Sequence, residues 1–129
     1  MRLRRRSDES TDPVRRGFAA AATQVDRAQR ALIAAIPTPR DPGVPLSQAL
    51  REFLEALDRV EAAMQAWHDE SSAHEWTKCL AGVAAARAAA EALAGNNLDL
   101  TFEQLNAQIG DVLYPLEAFV DAERELRRR

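Results

Sequence analysis

The sequence predicts an all-α protein in which four helices form an up-down-up-down bundle. Residues 46–67 carry apolar side chains at alternating steps of four and three, which is the spacing of a heptad seam on a helix packed against other helices. The same stepping recurs in two further segments, and no segment alternates apolar and polar residues as a half-buried strand does. At 129 residues, the chain is long enough for one domain with a substantial core.

The first helix is predicted at residues 13–36. Asp12 followed by Pro13 is typical of a helix start, because aspartate accepts hydrogen bonds from the first turn and proline is well tolerated there. The polar and charged residues 1–11 predict a disordered basic tail, which leaves a single domain at 12–127. The predicted apolar stripe of the first helix is Val14, Phe18, Ala21, Val25, Ala28, Leu32 and Ala35.

The second and third helices are predicted at 46–69 and 73–94. Ser72 and Glu75 have the spacing of a reciprocal capping box, which favours a new helix start and therefore a hairpin. One continuous helix over 46–94 is the alternative. The seam of the second helix is Leu46, Leu50, Phe53, Leu57, Val60, Met64 and Trp67.

The fourth helix is predicted at 102–127. Thr101 and Gln104 again have the spacing of a capping box at its start. Pro115 lies inside the apolar stripe of this helix and has no backbone N–H to donate, so we expect a kink near Pro115. A kink leaves a carbonyl group without its helical partner, and Asp111 and Tyr114 are candidates for a polar pocket beside it.

The third helix has almost no polar face, because its only charges between Cys79 and Ala94 are Arg87 and Glu91. Such a helix is either central in its fold or covered by another chain. The sequence therefore favours a non-enzymatic interaction or oligomerisation module, which pairs with a second copy or with another helical protein. The predicted interaction surface is Val83, Ala84, Arg87, Ala88 and Glu91.

Charge is distributed unevenly along the chain, although the net charge is only −3. Residues 1–6 carry four arginines, and residues 124–129 carry four arginines and one glutamate. The remaining residues, 7–123, contain 9 basic and 19 acidic side chains, a net charge of −10. This pattern predicts an acidic rod with two basic ends. Nucleic acid is not expected to bind the acidic body, although basic ends can contact nucleic acid or acidic lipid.

Cys79 is the only cysteine, so no disulfide can form within the chain. This fits a reducing compartment, and we expect a cytoplasmic protein. No apolar run approaches the ~18 residues that a membrane-spanning helix needs. Cys79 falls among apolar positions, where a thiol is usually a small buried hydrophobe. The sequence predicts no metal or cofactor, except the magnesium of the alternative below.

Residues 73–80 (Ala-His-Glu-Trp-Thr-Lys-Cys-Leu) resemble the phosphoacceptor box of sensor histidine kinases, roughly His-Glu-Leu-Arg-Thr-Pro-Leu. His74 and Glu75 stand in register, and Cys79 replaces the proline. Histidine phosphotransfer modules are themselves four-helix bundles of about this size, but their lysine follows the histidine by three residues, whereas Lys78 follows by four. The resemblance implies that His74 is a candidate catalytic residue that accepts a phosphoryl group.

The segment Gln-Ile-Gly-Asp-Val-Leu in the fourth helix is similar to part of MazG-type nucleoside triphosphate pyrophosphohydrolases. Those all-helical enzymes hold Mg²⁺ with Glu-Glu-x-x-Glu on one helix and Glu-x-x-Asp on another. Glu52 and Glu55 match two carboxylates of the first set, and Arg51 replaces the leading one. Asp111 matches the last carboxylate, whereas Gln108 stands where the family has glutamate. This similarity implies a degenerate enzyme as the alternative function, with these candidate metal ligands: Glu52, Glu55, Asp58 and Asp111.

Overall fold

The computed structural model describes residues 13–69, 72–95 and 99–128, and helices account for most of them. The described residues contain no β-strand, so the all-α prediction is confirmed. None of the described helices combines the length and the apolar character that crossing a bilayer requires. The predicted disordered tail, 1–11, lies outside the described residues.

The described residues contain four helices, and the fourth is divided in two. A 3-10 segment, Tyr114–Glu117, joins the two parts, and it lies where the sequence predicts a kink. Pro115 explains the interruption, because its ring nitrogen cannot donate the backbone hydrogen bond of an α-helix. The helices are α1 Pro13–Ile33, α2 Leu46–Met64, α3 Ala73–Gly95, α4 Phe102–Leu113 and α5 Ala118–Arg127.

The apolar positions predicted on α2 lie in the core. Leu46 at the helix start is half-buried against the core, and the other six are buried: Leu50, Phe53, Leu57, Val60, Met64 and Trp67. The contact between α1 and α2 is the most extensive between any two elements. The two helices approach closely near the end of α2, since a β-carbon at Gly17 would lie only 2.7 Å from the carbonyl carbon of Ala66.

The first helix ends at Ile33, three residues before the predicted end. The backbone amides of Ala35 and Ile36 reach back only three residues, which tightens the chain into a turn. The amide of Val44 then donates to the carbonyl of Ala34 at 2.9 Å and closes the loop onto the end of α1. The proline-rich connector is therefore anchored at its end.

A break separates α2 from α3, as the predicted second helix start requires, so one continuous helix over 46–94 is wrong. α2 ends at Met64, and after one 3-10 turn, Gln65–Trp67, the backbone becomes extended at His68. This end is earlier than predicted because the indole N–H of Trp76 donates to the carbonyl of Met64 at 2.7 Å. That carbonyl would otherwise accept from the next turn of a continuing helix.

The fourth helix starts with the capping box that the sequence predicts. The amide of Gln104 donates to the hydroxyl of Thr101 at 3.1 Å, and the amide of Thr101 donates to the side-chain carbonyl of Gln104 at 3.0 Å. α3 packs against α2 on one side and against α4 and α5 on the other, whereas α1 contacts the fourth helix less extensively. These contacts are consistent with the predicted bundle.

Candidate functional site

A cleft of about 320 Å³ opens between the first turns of α3 and the helix α5. Two small side chains of α5 also line the cleft, and the remaining lining residues are polar. The polar ones are His74, Glu75, Lys78, Asp121 and Glu125. This cleft is the candidate active site, because it contains His74, the candidate catalytic residue.

Helical spacing explains how these side chains meet. His74 and Lys78 are four residues apart and exposed, so they lie one above the other on one face of α3. Asp121 and Glu125 have the same spacing on α5 and form an acidic wall. Glu75 turns toward the core and is only 8% exposed. The acidic wall is absent from the sequence-based predictions, although two carboxylates four residues apart on one helix indicate it.

The charge in the cleft does not favour a phosphoryl group on His74. The structure places His74 and Lys78 side by side as phosphotransfer would require, but three carboxylates line the same cleft. Asp121 lies 3.6 Å from Arg124, and Glu125 lies 3.1 Å from Arg128. Both pairs are exposed to solvent and therefore neutralise the acidic wall weakly. The negative carboxylates in the cleft therefore oppose the binding of a negatively charged phosphate.

Cys79 lies behind the cleft and is completely buried. Its thiol donates to the carbonyl of Ala118, with a sulfur–oxygen distance of 3.6 Å. Burial, which has the largest effect, and the nearby carboxylates of Glu75 and Asp121 together raise the pKa of the thiol to about 12. A thiol that stays protonated is a poor nucleophile, so Cys79 is a packing residue.

We expect Cys79 to react with iodoacetamide far more slowly in the folded protein than an exposed cysteine does. A pKa raised from 9.0 to about 12 lowers the thiolate fraction by roughly 1,000-fold. The matched control is Ala85→Cys, an exposed position on the same helix. Mass spectrometry should show fast single labelling of the variant and little of the native chain. Equal rates at the two cysteines would contradict burial.

The same shift has a consequence for stability at alkaline pH. The folded protein keeps the thiol protonated, whereas the unfolded chain ionises it near 9.0. The stabilising contribution is therefore complete below that pH and is lost as the pH rises toward about 12. Cys79→Ala should show a weaker decline of the free energy of unfolding over this range.

The four candidate metal ligands do not converge. Among the residues that the structure describes, no group of three His, Cys, Asp or Glu side chains is placed to hold a metal ion. The carboxylate of Glu52 accepts from the side-chain amide of Gln48 at 3.0 Å, and Asp58 accepts from Arg87 at 2.8 Å. Glu55 and Asp111 are exposed. The described structure therefore does not gather the carboxylates that the pyrophosphohydrolase alternative assigns to magnesium, and it gives that alternative no support.

Asp111 and Tyr114 do not form the predicted pocket. Asp111 is exposed and Tyr114 is 70% exposed, so neither faces an enclosed space beside the interruption at Pro115. The carbonyl of Pro115 instead lies against Gly82, where a β-carbon would overlap its oxygen. The interruption of the fourth helix therefore serves close packing on α3.

The predicted interaction surface is partly wrong. Val83 is only 1% exposed and belongs to the core, so it cannot meet a partner. Arg87 is engaged within the chain, because its guanidinium pairs with Asp58 and Glu61 across the contact between α2 and α3. These two carboxylates and the hydrogen bonds that they accept raise the pKa of Arg87 against the opposing effect of burial. The remaining predicted residues, Ala84, Ala88 and Glu91, are exposed.

An outer face of α3 made of alanine replaces the predicted surface. Between Lys78 and Glu91, every exposed residue of α3 is alanine, and the next exposed residue after Glu91 is alanine as well. Only Ala84 and Ala88 of this set were predicted, although helical spacing from Ala84 places the other three on the same face. We call these residues the alanine face: Ala81, Ala84, Ala85, Ala88 and Ala92.

The described residues thus present an acidic cleft with an unreactive thiol behind it, and a smooth apolar face on the same helix. The cleft begins at His74, and the alanine face follows Lys78 toward the end of α3. Comparison of the chain with protein-family models, with curated proteins and with solved structures found no match.

Proposed function

We propose that this chain is a helical interaction module, an up-down-up-down bundle whose alanine face binds the alanine face of a second copy. The carrying observation is that the exposed part of α3 between Lys78 and Glu91 is entirely alanine. Side chains this small let two helix axes approach to the short end of the usual range of ~8–10 Å. An exposed helix face without charge is also a surface that a partner can cover with little loss of hydration.

The alanine face is complementary to itself when two copies of α3 run antiparallel. A two-fold axis between Ala84 and Ala85 sets Ala81 of one copy at the level of Ala88 of the other. The same axis sets Lys78 of one copy at the level of Glu91 of the other. A symmetric contact of this kind closes on itself as a dimer.

Charge favours this antiparallel arrangement over a parallel one. Lys78 and Glu91 are exposed, and neither forms an ion pair within the part of the chain that the structure describes. An antiparallel pair brings these opposite charges near each other twice, once at each end of the face. A parallel pair would bring lysine to lysine and glutamate to glutamate, and the aligned helix dipoles would also repel.

The dimer should be weak. The alanine face from Ala81 to Ala92 is about 16 Å long at the ~1.5 Å rise of a helix. Its area is therefore well below the roughly 800 Å² per partner of a stable interface. We expect a dimer whose population rises with protein concentration, in exchange with monomer.

Reversing the charges at the ends of the face tests this proposal. Sedimentation equilibrium over a range of concentrations should show wild-type association, and Lys78→Glu or Glu91→Lys alone should weaken it about tenfold by setting like charges together. The double variant Lys78→Glu/Glu91→Lys should restore the wild-type affinity. The matched control is Arg51→Glu, which makes the same charge change as Lys78→Glu at an exposed position on α2.

Two outcomes would contradict the proposal. One is a strictly monomeric wild-type protein at the highest attainable concentration. The other is association that the single reversals leave unchanged, because a dimer formed elsewhere on the surface would not depend on Lys78 and Glu91.

A further inference from the structure

A shallow apolar groove runs between α1 and the fourth helix. Its volume is about 130 Å³, and four of its lining side chains belong to the hydrophobic core: Phe18, Val25, Leu116 and Phe119. Val120 also lines the groove and is 52% exposed. Ile33, which is 49% exposed, lies one helical turn beyond Gln29 on the same side of α1. Two of the four large apolar side chains that the described residues expose therefore border this groove.

Packing of the fourth helix against α3 leaves this groove open. The 3-10 segment lies so close to α3 that a β-carbon at Gly82 would overlap the carbonyl oxygen of Pro115. The fourth helix contacts α1 less extensively than it contacts α3. Because the fourth helix lies against α3, its side toward α1 leaves core side chains incompletely covered.

The size of the groove suits side chains of a protein better than a small molecule. Sites for small molecules usually enclose roughly 300–1,000 Å³, and the groove is well below that range. A groove between two helices accepts the apolar face of a third helix, which inserts side chains spaced at i, i+4 and i+7. From Phe18 to Gln29 the groove is about 17 Å long at the ~1.5 Å rise of a helix, which is about three turns of a partner helix.

Both sides of the groove are acidic. Asp26 of α1 and Glu123 of α5 line it, and no basic side chain among the described residues does so. Asp26 pairs with Arg30 at 2.9 Å, and Glu123 pairs with Arg127 at 3.0 Å. All four side chains are half exposed or more, so these pairs are weak and a partner can replace them. Arg15 and Arg127 line a neighbouring depression, so the basic residues of a partner must lie over the groove itself.

We propose that this groove binds a basic amphipathic helix of a partner protein. The apolar face of that helix covers Val120 and the core side chains beside it, and its basic residues pair with Asp26 and Glu123. Burial of apolar surface supplies the affinity, and the two carboxylates select basic helices over acidic ones. The groove lies between α1 and the fourth helix, whereas the alanine face lies on α3, so this proposal does not depend on the dimer.

Fluorescence anisotropy with a labelled peptide tests the proposal. The probe is an alanine-based helical peptide with three leucines on one face, at steps of four and three, and lysines along both edges of that face. Its acidic counterpart carries glutamate in place of each lysine. The full chain should bind the basic peptide and should bind the acidic one about tenfold more weakly or less, because like charges then meet at Asp26 and Glu123.

Substitutions in the groove locate the binding. Asp26→Asn/Glu123→Gln should weaken binding of the basic peptide about tenfold, and Val120→Asn should weaken it roughly fivefold through loss of apolar contact. The matched control, Asp111→Asn/Glu117→Gln, removes the same two charges from exposed positions of the fourth helix outside the groove and should bind like wild type. Circular dichroism verifies that each variant folds.

Three outcomes would overturn the proposal: binding of the basic peptide no tighter than that of the acidic one, the same affinity in the two double variants, or loss of self-association in Val120→Asn. The first would show that charge does not select the partner, and the second would place the binding elsewhere on the surface. The third would make a second copy the occupant of the groove. The dimer is tested separately, because Lys78 and Glu91 are unchanged in every variant.

Discussion

Replacing Trp67 with alanine is expected to lower the free energy of unfolding by about 3–5 kcal/mol, the range for removing a large buried aromatic side chain. Trp67 is 1% exposed, and its ring meets that of Phe18 edge to face with 5.2 Å between centroids. The ring of Phe18 also contacts the ring of Phe119, with 6.1 Å between their centroids. The indole of Trp67 thus joins the end of α2 to α1 and, through Phe18, to α5. Its loss leaves a cavity where three helices meet.

Trp67→Phe is the matched control, because it keeps an aromatic ring and removes an indole N–H that has no hydrogen-bond partner among the described residues. We expect it to lower the free energy of unfolding by about 1 kcal/mol, since the smaller ring is partly offset by removal of an unpaired buried donor. Urea unfolding followed by circular dichroism measures both. A loss below about 1 kcal/mol in the alanine variant would place Trp67 outside the core.

Replacing Gly82 with alanine is expected to be the second large effect, a loss of about 2–3 kcal/mol of stability from overpacking. A β-carbon at Gly82 would overlap the carbonyl oxygen of Pro115 and lie 3.5 Å from the β-carbon of Ala118. The clash is with backbone, which cannot rotate away as a long side chain can. α3 and the 3-10 segment would have to separate.

Gly110→Ala provides the opposite control in the neighbouring helix. A β-carbon there would meet nothing within 4 Å, and alanine is favoured over glycine inside a helix by about 0.5–1 kcal/mol. We therefore expect this variant to unfold at a higher urea concentration than wild type, and Gly82→Ala at a lower one. If both substitutions stabilised the protein, α3 could not lie against Pro115.

The helices could be predicted from the sequence because the spacing of apolar residues shows which side of a helix is buried. The steps from Leu50 to Met64 follow the buried side of α2, and the pair Thr101 and Gln104 records a local hydrogen-bonding pattern. The end of α2 could not be predicted in the same way. It depends on the hydrogen bond from Trp76 to the carbonyl of Met64, which joins residues 12 positions apart.

The rotation of α3 about its own axis was predicted wrongly, since Val83 is buried. This helix carries alanine on both its buried and its exposed sides, so apolar spacing does not distinguish them, and Val83 was assigned to the surface. Packing supplies what the pattern lacks, because Gly82 must lie where the fourth helix comes closest. A lone glycine inside an alanine-rich helix was the available signal for the buried side.

Disulfide cross-linking tests the proposed pairing of two alanine faces most directly. Ala84→Cys places a thiol beside the two-fold axis of an antiparallel pair. In Ala92→Cys, the two introduced thiols lie roughly 20 Å apart along the helices, at the ~1.5 Å rise per residue. Under mild oxidation, we expect covalent dimers of Ala84→Cys and none of Ala92→Cys, with the buried Cys79 unreactive in both. Equal cross-linking at the two positions, or none at Ala84→Cys, would contradict the antiparallel dimer.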